Sequence, residues 1–117
     1  MTLRSTAVLA FSVLALAVAG PAAAKTSAHH TTTVNVTAKD FSFKLSKTTV
    51  KHGSITFMIK NDGHTAHDFS IAGHKSKTVQ PGKTTTLTVT LKKGSYPYKC
   101  TIDSHAKLGM KGVLKVT

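Results

Sequence analysis

The sequence has few of the residues that crosslink small proteins or bind nucleic acid. It contains one cysteine among 117 residues, Cys100, so an internal disulfide is excluded. Its single arginine, Arg4, lies near the N terminus, and only 6% of its residues are aromatic. Because nucleic-acid binding relies on arginine side chains and stacking aromatic rings, we expect no nucleic-acid partner. No apolar run reaches the roughly 20 residues that span a bilayer, and no segment keeps the helical period of 3.6 residues.

The N-terminal segment has the organisation of a secretory signal peptide. Arg4 supplies a positive charge, and residues 7–19 form an apolar run that a single serine interrupts. Residues 22–24 are alanines, which fit the small-residue pattern of a cleavage site. We therefore expect residues 1–24 to be removed on export. We expect the mature protein to be located in the periplasm, elsewhere in the cell envelope or outside the cell.

The mature chain is predicted to be small and strongly basic. Residues 25–33 are small and polar, which predicts a flexible tail, and residues 34–117 are enough for one small domain. The mature part has 15 lysines and four aspartates. Such a positive field steers a protein toward acidic partners or an anionic envelope surface. Lysine is also common on exposed strand positions and edges without any partner, so both interpretations remain open.

From residue 34 onward, apolar and polar residues alternate with the period of two that is typical of strands. The alternating sets are Val34/Val36/Ala38, Phe41/Phe43/Leu45, Ile55/Phe57/Ile59, His67/Phe69/Ile71, Leu87/Val89/Leu91, Tyr96/Tyr98/Cys100 and Leu114/Val116. Glycine and proline turn signals separate several of these sets. This pattern predicts an all-β domain of seven to eight short strands, arranged as a β-sandwich or a small barrel.

Metal-binding residues are concentrated near the C terminus. Cys100, His105 and Met110 follow one another with the spacing Cys-x4-His-x4-Met. A thiolate, an imidazole and a thioether select copper and suit its cycling between Cu(I) and Cu(II). A lone thiol in an oxidising compartment would otherwise be open to an intermolecular disulfide. The pattern therefore predicts a site for one copper ion.

A second imidazole has to come from a distant segment, because a loop this short cannot complete a trigonal site alone. His67 is the best candidate, since it opens an apolar alternation that fixes the direction of its side chain. The remaining histidines are expected to be solvated, and they are His29, His30, His52, His64 and His74. We therefore predict that the metal ligands are His67, Cys100, His105 and Met110, with Met110 as a long, weak axial ligand.

Three segments resemble the cupredoxins, the family of plastocyanin-like type 1 copper proteins. Residues 61–69 are similar to the family's Asn-x-Gly…His-Asn-Phe segment, whose histidine is the first ligand. Residues 94–100 are similar to its Gly-x-Tyr-x-Tyr-x-Cys strand, and residues 100–116 to its ligand loop and last strand. The resemblance covers residues 34–117 and implies a Greek-key β-sandwich that holds the four ligands named above.

Two residues depart from the family pattern. Asp68 stands where members commonly have asparagine, and Asp103 stands in a dipeptide that is commonly Pro-Gly. These departures predict two carboxylates near the copper, which would favour Cu(II), while Lys99, Lys107 and Lys111 would act in the opposite direction.

The resemblance implies a soluble electron carrier that moves single electrons between redox partner proteins. We expect this carrier to be a monomer, and we expect its partners to be acidic or membrane-bound. Four protein ligands would leave the copper no open position, so we expect no enzymatic activity. In the family, electrons usually leave through the ring edge of the second histidine, here His105, and Ala106 and Leu108 would surround it. The alternative is a copper-binding module that stores or delivers the metal. That alternative is suggested by the histidine pair in the tail and by the two unusual acids.

Overall fold

The described part of the chain is almost entirely β-structure. A computed structural model describes residues 30–117, so the predicted signal peptide lies outside the described residues. The strands are β1 (Thr31–Lys39), β2 (Ser42–Leu45), β3 (Thr49–Val50), β4 (Gly53–Asn61), β5 (Ser70–Ile71), β6 (His74–Lys75), β7 (Thr84–Leu91), β8 (Gly94–Lys99) and β9 (Lys111–Val116). One 3-10 turn, His105–Leu108, lies between β8 and β9. Within residues 30–117, no helix is long and apolar enough to cross a bilayer.

The strands form two sheets. One sheet has the order β2-β1-β4-β7, and the other has the order β3-β9-β8-β5-β6. The pairs β1–β4 and β3–β9 are parallel, and the other pairs are antiparallel. The predicted all-β sandwich is confirmed. The part of the chain that the structure describes has nine strands where seven to eight were predicted, because β3, β5 and β6 have two residues each, too few to produce an alternating pattern.

The first strand begins earlier than its sequence pattern predicted. β1 starts at Thr31, three residues before the predicted domain start at Val34. Residues 31–33 pair in parallel register with residues 54–56 of β4. Threonine is branched at Cβ and favours strands, so these residues extend the sheet. The boundary placed at residue 33 between tail and domain was therefore wrong by three residues.

The inward faces of the two sheets enclose one apolar core. Ile55, Phe57 and Ile59 of β4 are fully buried, as the period of two requires. The same buried cluster includes Cys100 and Met110, which flank the loop between β8 and β9. The predicted metal loop is therefore continuous with the core.

The strand that leads to Cys100 is fixed against its neighbour by a glycine. Gly112 of β9 pairs with Tyr98 of β8. A Cβ atom at Gly112 would collide with the phenol of Tyr98. Because Gly112 has no side chain, the buried Tyr98 ring packs directly over β9, two residues before Cys100.

Candidate metal centre

Three side chains from separate parts of the chain meet at one end of the core. The donor atoms of His67, Cys100 and His105 all lie within 4.8 Å of one another, and all three residues are buried. The Nδ1 atoms of His67 and His105 are 3.2 Å apart. The Sγ atom of Cys100 lies 3.6 Å from Nδ1 of His105. The structure thus brings three of the four predicted ligands together.

Backbone hydrogen bonds close the loop that carries Cys100 and His105. The N–H of Cys100 donates to the carbonyl oxygen of Met110 at 3.1 Å, and the N–H of Met110 donates to the carbonyl oxygen of His105 at 3.2 Å. Met110 is fully buried. Its backbone is therefore bound to both neighbouring donor residues, and its assignment as the axial ligand remains a prediction.

His67 is held by a different part of the fold. It exchanges two backbone hydrogen bonds with Val79, 3.1 and 2.7 Å long, as an isolated bridge. The fully buried Asn61 side chain donates to the carbonyl oxygens of Thr65 and Val79, both at 2.8 Å, and accepts from the N–H of Gly63 at 2.8 Å. Asn61 therefore fixes the turn that leads to His67.

The sequence argument for His67 was wrong in one respect. His67 was expected to open a regular strand, but β5 begins only at Ser70. The direction of the side chain is instead set by the bridge to Val79 and by the turn around Asn61.

A carboxylate links the two segments that carry the donors. Asp68 is buried and accepts a hydrogen bond from the N–H of Thr101 at 2.6 Å. The hydroxyl of Thr101 donates to the other oxygen of the same carboxylate. Since these residues follow His67 and Cys100 directly, the two donor segments are bound to each other. Asp103, the other predicted carboxylate, is exposed to solvent.

A third carboxylate, which the sequence did not single out, contacts a donor residue directly. Oδ1 of Asp40 lies 2.7 Å from Nε2 of His67. Asp40 also accepts from the N–H of His64 at 2.8 Å and from the hydroxyl of Thr65 at 2.9 Å. The His64 N–H, followed by the His67 and Thr65 side chains, holds the pKa of the Asp40 carboxyl well below its ordinary value. The only feature of the sequence that marked Asp40 was its position after an alternating segment.

The donor set fits one copper ion. Metal–nitrogen bonds of about 2.0–2.1 Å are usual in protein sites, so two nitrogens 3.2 Å apart can both reach a shared ion. Burial raises the pKa of the Cys100 thiol, and a bound cation counteracts this by stabilising the thiolate. One thiolate and two imidazoles are the ligands of a trigonal copper site.

The centre is covered by protein on one side and approaches the surface on the other. Phe41 packs against both imidazoles, with ring centroids 6.2 Å from His67 and 4.7 Å from His105. His105 is 7% exposed, and Leu108 in the same turn is 61% exposed. The apolar surface predicted beside His105 therefore includes Leu108, with a partly buried Ala106 next to the histidine.

Two lysines lie close to the centre on the outer face of the second sheet. Lys99 and Lys111 are direct cross-strand neighbours, and both are exposed. They line a groove of about 610 Å³ together with Ser70, Ile71, Ala72, Gly73, Pro97, Tyr98, Gly112 and Val113. The three donor residues are not among those that line this groove.

Solved blue copper proteins share this fold. Auracyanin from the photosynthetic bacterium Roseiflexus castenholzii is 23% identical, with a TM-score of 0.63 over 74% of this chain and 97% of that one. Auracyanin A, a blue copper protein from Chloroflexus aurantiacus, is 20% identical, with a TM-score of 0.66 over 75% of this chain and 100% of that one. A blue copper oxidase from Nitrosomonas europaea is 15% identical, with a TM-score of 0.60 over 74% of this chain and 39% of that one. No curated protein sequence matches the chain.

Because these solved structures are less than 25% identical to this chain, their likeness establishes the fold alone. The family is established by a sequence model of the family. The model of the cupredoxin-like domain matches residues 8–116, which is nearly the whole chain. The family and the buried His–Cys–His set together support one copper ion as the cofactor. The resemblance seen in the sequence is thus confirmed, and the chain belongs to the cupredoxin-like family.

Proposed function

We propose that this protein is an exported one-electron carrier with a type 1 copper site. The copper would be held by His67, Cys100 and His105, with Met110 as a weak axial ligand. The observation that carries the proposal is the meeting of one thiol and two imidazoles, all buried and all within 4.8 Å of one another. Auracyanin A, a blue copper protein with the same fold, supports the copper site in this proposal.

Copper bound by these ligands would supply a reversible Cu(I)/Cu(II) couple. The protein contributes a donor arrangement that its own hydrogen bonds hold in place. The Cys100–Met110 and Met110–His105 backbone bonds fix one donor segment, the Val79 bridge fixes His67, and the Asp68–Thr101 contact joins the two segments. Donors that are held in this way would rearrange little when the metal changes its charge, and this would favour rapid electron transfer.

Electrons would enter and leave at His105. His105 is the most exposed of the three donor residues, at 7%, compared with 0% for His67 and 1% for Cys100. Leu108, which is 61% exposed, offers an apolar contact surface for a redox partner beside this ring. Lys107 is exposed in the same turn and would lie at the edge of that contact.

The redox partner would carry negative charge at its docking surface. Like charges directly opposite each other on neighbouring strands destabilise a sheet, yet Lys99 and Lys111 occupy such a pair beside the groove. A partner carboxylate placed between them would remove this repulsion. The 15 lysines of residues 25–117, against four aspartates, would add long-range attraction.

Export would follow from the proposed signal peptide at residues 1–24, and the mature protein would act in the periplasm or outside the cell as a monomer. N-terminal sequencing of the protein recovered from the exported fraction tests the cleavage site. A mature N terminus at residue 25 supports the proposal, whereas retention of Met1 in that fraction contradicts it.

The alternative function is copper storage or delivery. A delivery protein has to release its metal to a partner, so donors that a partner can reach would favour that function. Here His67, Cys100 and Met110 are all at most 1% exposed, which favours retention of the metal. We therefore favour electron transfer over copper storage or delivery, and we propose no enzymatic reaction.

One experiment separates these functions. The mature protein is loaded with Cu(II), and its visible spectrum, paramagnetic resonance spectrum, reduction potential and copper loss to a chelator are measured. A carrier gives an intense thiolate-to-copper band, reversible electrochemistry and slow loss, whereas a delivery module gives weak colour and fast loss. Cys100→Ser is the control, because it removes the only sulfur that can give this band. An intense band that survives Cys100→Ser would end the type 1 assignment.

A further inference from the structure

The hydrogen bond between Asp40 and His67 determines which nitrogen of the ring is available to a metal. A carboxylate can only accept, so Nε2 of His67, 2.7 Å from Oδ1 of Asp40, carries the ring proton. In the neutral ring, Nδ1 then keeps its lone pair. That Nδ1 atom lies 3.2 Å from Nδ1 of His105, inside the donor cluster.

We propose that Asp40 is a positioning residue of the copper site. Its carboxylate holds His67 in the Nε2–H form, and its charge stabilises Cu(II) relative to Cu(I). This inference rests on the proposed copper site. The carboxylate acts through the imidazole without touching the metal. Contacts of this type fix the tautomer and the orientation of a metal-binding histidine and increase its basicity.

Asp40 is itself held in place by several contacts. The N–H of His64 and the hydroxyl of Thr65 both donate to its carboxylate, at 2.8 and 2.9 Å. Its side chain is 20% exposed. Three donors from one short turn therefore converge on this carboxylate, and one of them is the His67 ring. Partial shielding from water strengthens the effect of the charge on that ring.

The backbone beside this contact leaves room for it. A Cβ atom at Gly63 would collide with Oδ1 of Asp40 and would lie 3.0 Å from Nε2 of His67. A residue with a side chain at this position would push the carboxylate away from the imidazole. The glycine at 63 is thus matched to the contact between Asp40 and His67.

The charge of Asp40 acts in a defined direction. A negative charge hydrogen-bonded to a ligand favours the more positive oxidation state of the metal, so it lowers the reduction potential. Asp68 does not fix a donor ring in this way, because its carboxylate binds the backbone and hydroxyl of Thr101.

The test compares Asp40→Asn and Asp40→Ala with the parent protein. The amide oxygen of Asp40→Asn can still accept from Nε2, so this variant loses the charge and retains the acceptor. Asp40→Ala loses both.

Loss of a contact of this kind typically lowers metal affinity by about 10–100-fold, and we expect the loss of Cu(II) affinity in Asp40→Ala to lie within this range. A selective tenfold loss of Cu(II) affinity corresponds to a rise of about 59 mV in a one-electron potential. We expect a rise of about this size in Asp40→Asn.

Two variants serve as controls. Asp62→Asn removes one negative charge from the same turn, where Asp62 pairs with Lys60 at 3.5 Å and does not contact His67. Thr65→Val removes the hydroxyl that donates to Asp40 and lies 3.5 Å from Nε2 of His67, and it leaves the Asp40–His67 bond possible. A charge effect through space alone would move the potential equally in Asp62→Asn. A purely structural role for Asp40 would be reproduced by Thr65→Val.

A readout without copper makes the test independent of the proposed function. Nitrogen-15 NMR of the apoprotein reports the tautomer of His67. We expect the Nε2–H form in the parent and in Asp40→Asn, and a loss of that preference in Asp40→Ala. A parent protein with the proton on Nδ1 would overturn the inference, as would unchanged copper affinity and potential in both Asp40 variants. If the parent bound copper without a thiolate band, the proposed function would fail, and the tautomer result would still decide the role of Asp40.

Discussion

His67 and His64 are three residues apart and provide a matched pair of substitutions. The His67 side chain is fully buried, whereas the His64 side chain is 97% exposed. Both rings contact Asp40, at 2.7 Å for His67 and 3.4 Å for His64. We predict that His67→Ala loses the type 1 copper site and that His64→Ala keeps it. The reason is that only His67 has a ring nitrogen inside the donor cluster.

The two substitutions should also differ in their effect on the folded apoprotein. Truncation of a large, fully buried side chain to alanine typically costs about 2–5 kcal/mol, and His67→Ala should fall in this range. The loss includes the hydrogen bonds of the ring to Asp40 and to His105. His64→Ala removes an exposed ring that lies 3.4 Å from Asp40, so the free energy of unfolding should be nearly unchanged.

Both effects are measurable on the same samples. Titration with Cu(II), followed by visible absorption and paramagnetic resonance, measures the copper site. Urea unfolding of the apoproteins measures stability, and circular dichroism shows whether His67→Ala is folded at the start. If His64→Ala lost the intense band and a folded His67→Ala kept it, the distant imidazole would be at position 64 and the assignment of His67 would be wrong.

Two further predictions concern the axial position and the charged surface. Met110→Gln should still bind copper but at a lower potential, because an amide oxygen favours Cu(II); voltammetry measures this, and an unchanged potential would make Met110 a packing residue. Replacing Lys99 and Lys111 with glutamine should slow electron exchange with an acidic redox partner severalfold at low ionic strength and flatten its salt dependence, since steering raises association rates by roughly 10–10³. Lys115→Gln is the control at the far end of β9. An equal effect of Lys115→Gln, or rates that do not respond to salt, would contradict steering at the groove.

Local features of the sequence were enough to predict that Cys100 and His105 lie close together. Cys100, His105 and Met110 lie within eleven residues, and that segment begins at the end of one strand and ends at the start of the next. A segment this short has few possible backbone conformations, so the spacing of these three residues largely determined where they lie. The period of two likewise predicted the sandwich, because residues on one face of a strand must be buried together.

The sequence was less informative where single contacts replace regular structure. His67 was placed correctly in the donor cluster but for an incomplete reason, since one bridge to Val79 replaces the expected strand. Where the structure is regular, the pattern accounts even for a single large side chain: Met58 of β4 is 41% exposed. Its neighbours Phe57 and Ile59 are fully buried, so the same period of two turns Met58 outward.

Asp40 could not have been recognised from the sequence, because its contact depends on the register of a whole sheet. Residues of β1 and β4 pair in parallel from Thr31 with Ser54 to Ala38 with Asn61, and the N–H of Asp62 then donates to the carbonyl oxygen of Ala38 at 2.8 Å. This register brings the end of β1, where Asp40 follows, to the turn that leads to His67. A shift of one residue would exchange the faces of the strand and carry the carboxylate away from the imidazole. The alternating apolar residues that build the core therefore also determine the polar contact between Asp40 and His67, which are 27 residues apart in sequence.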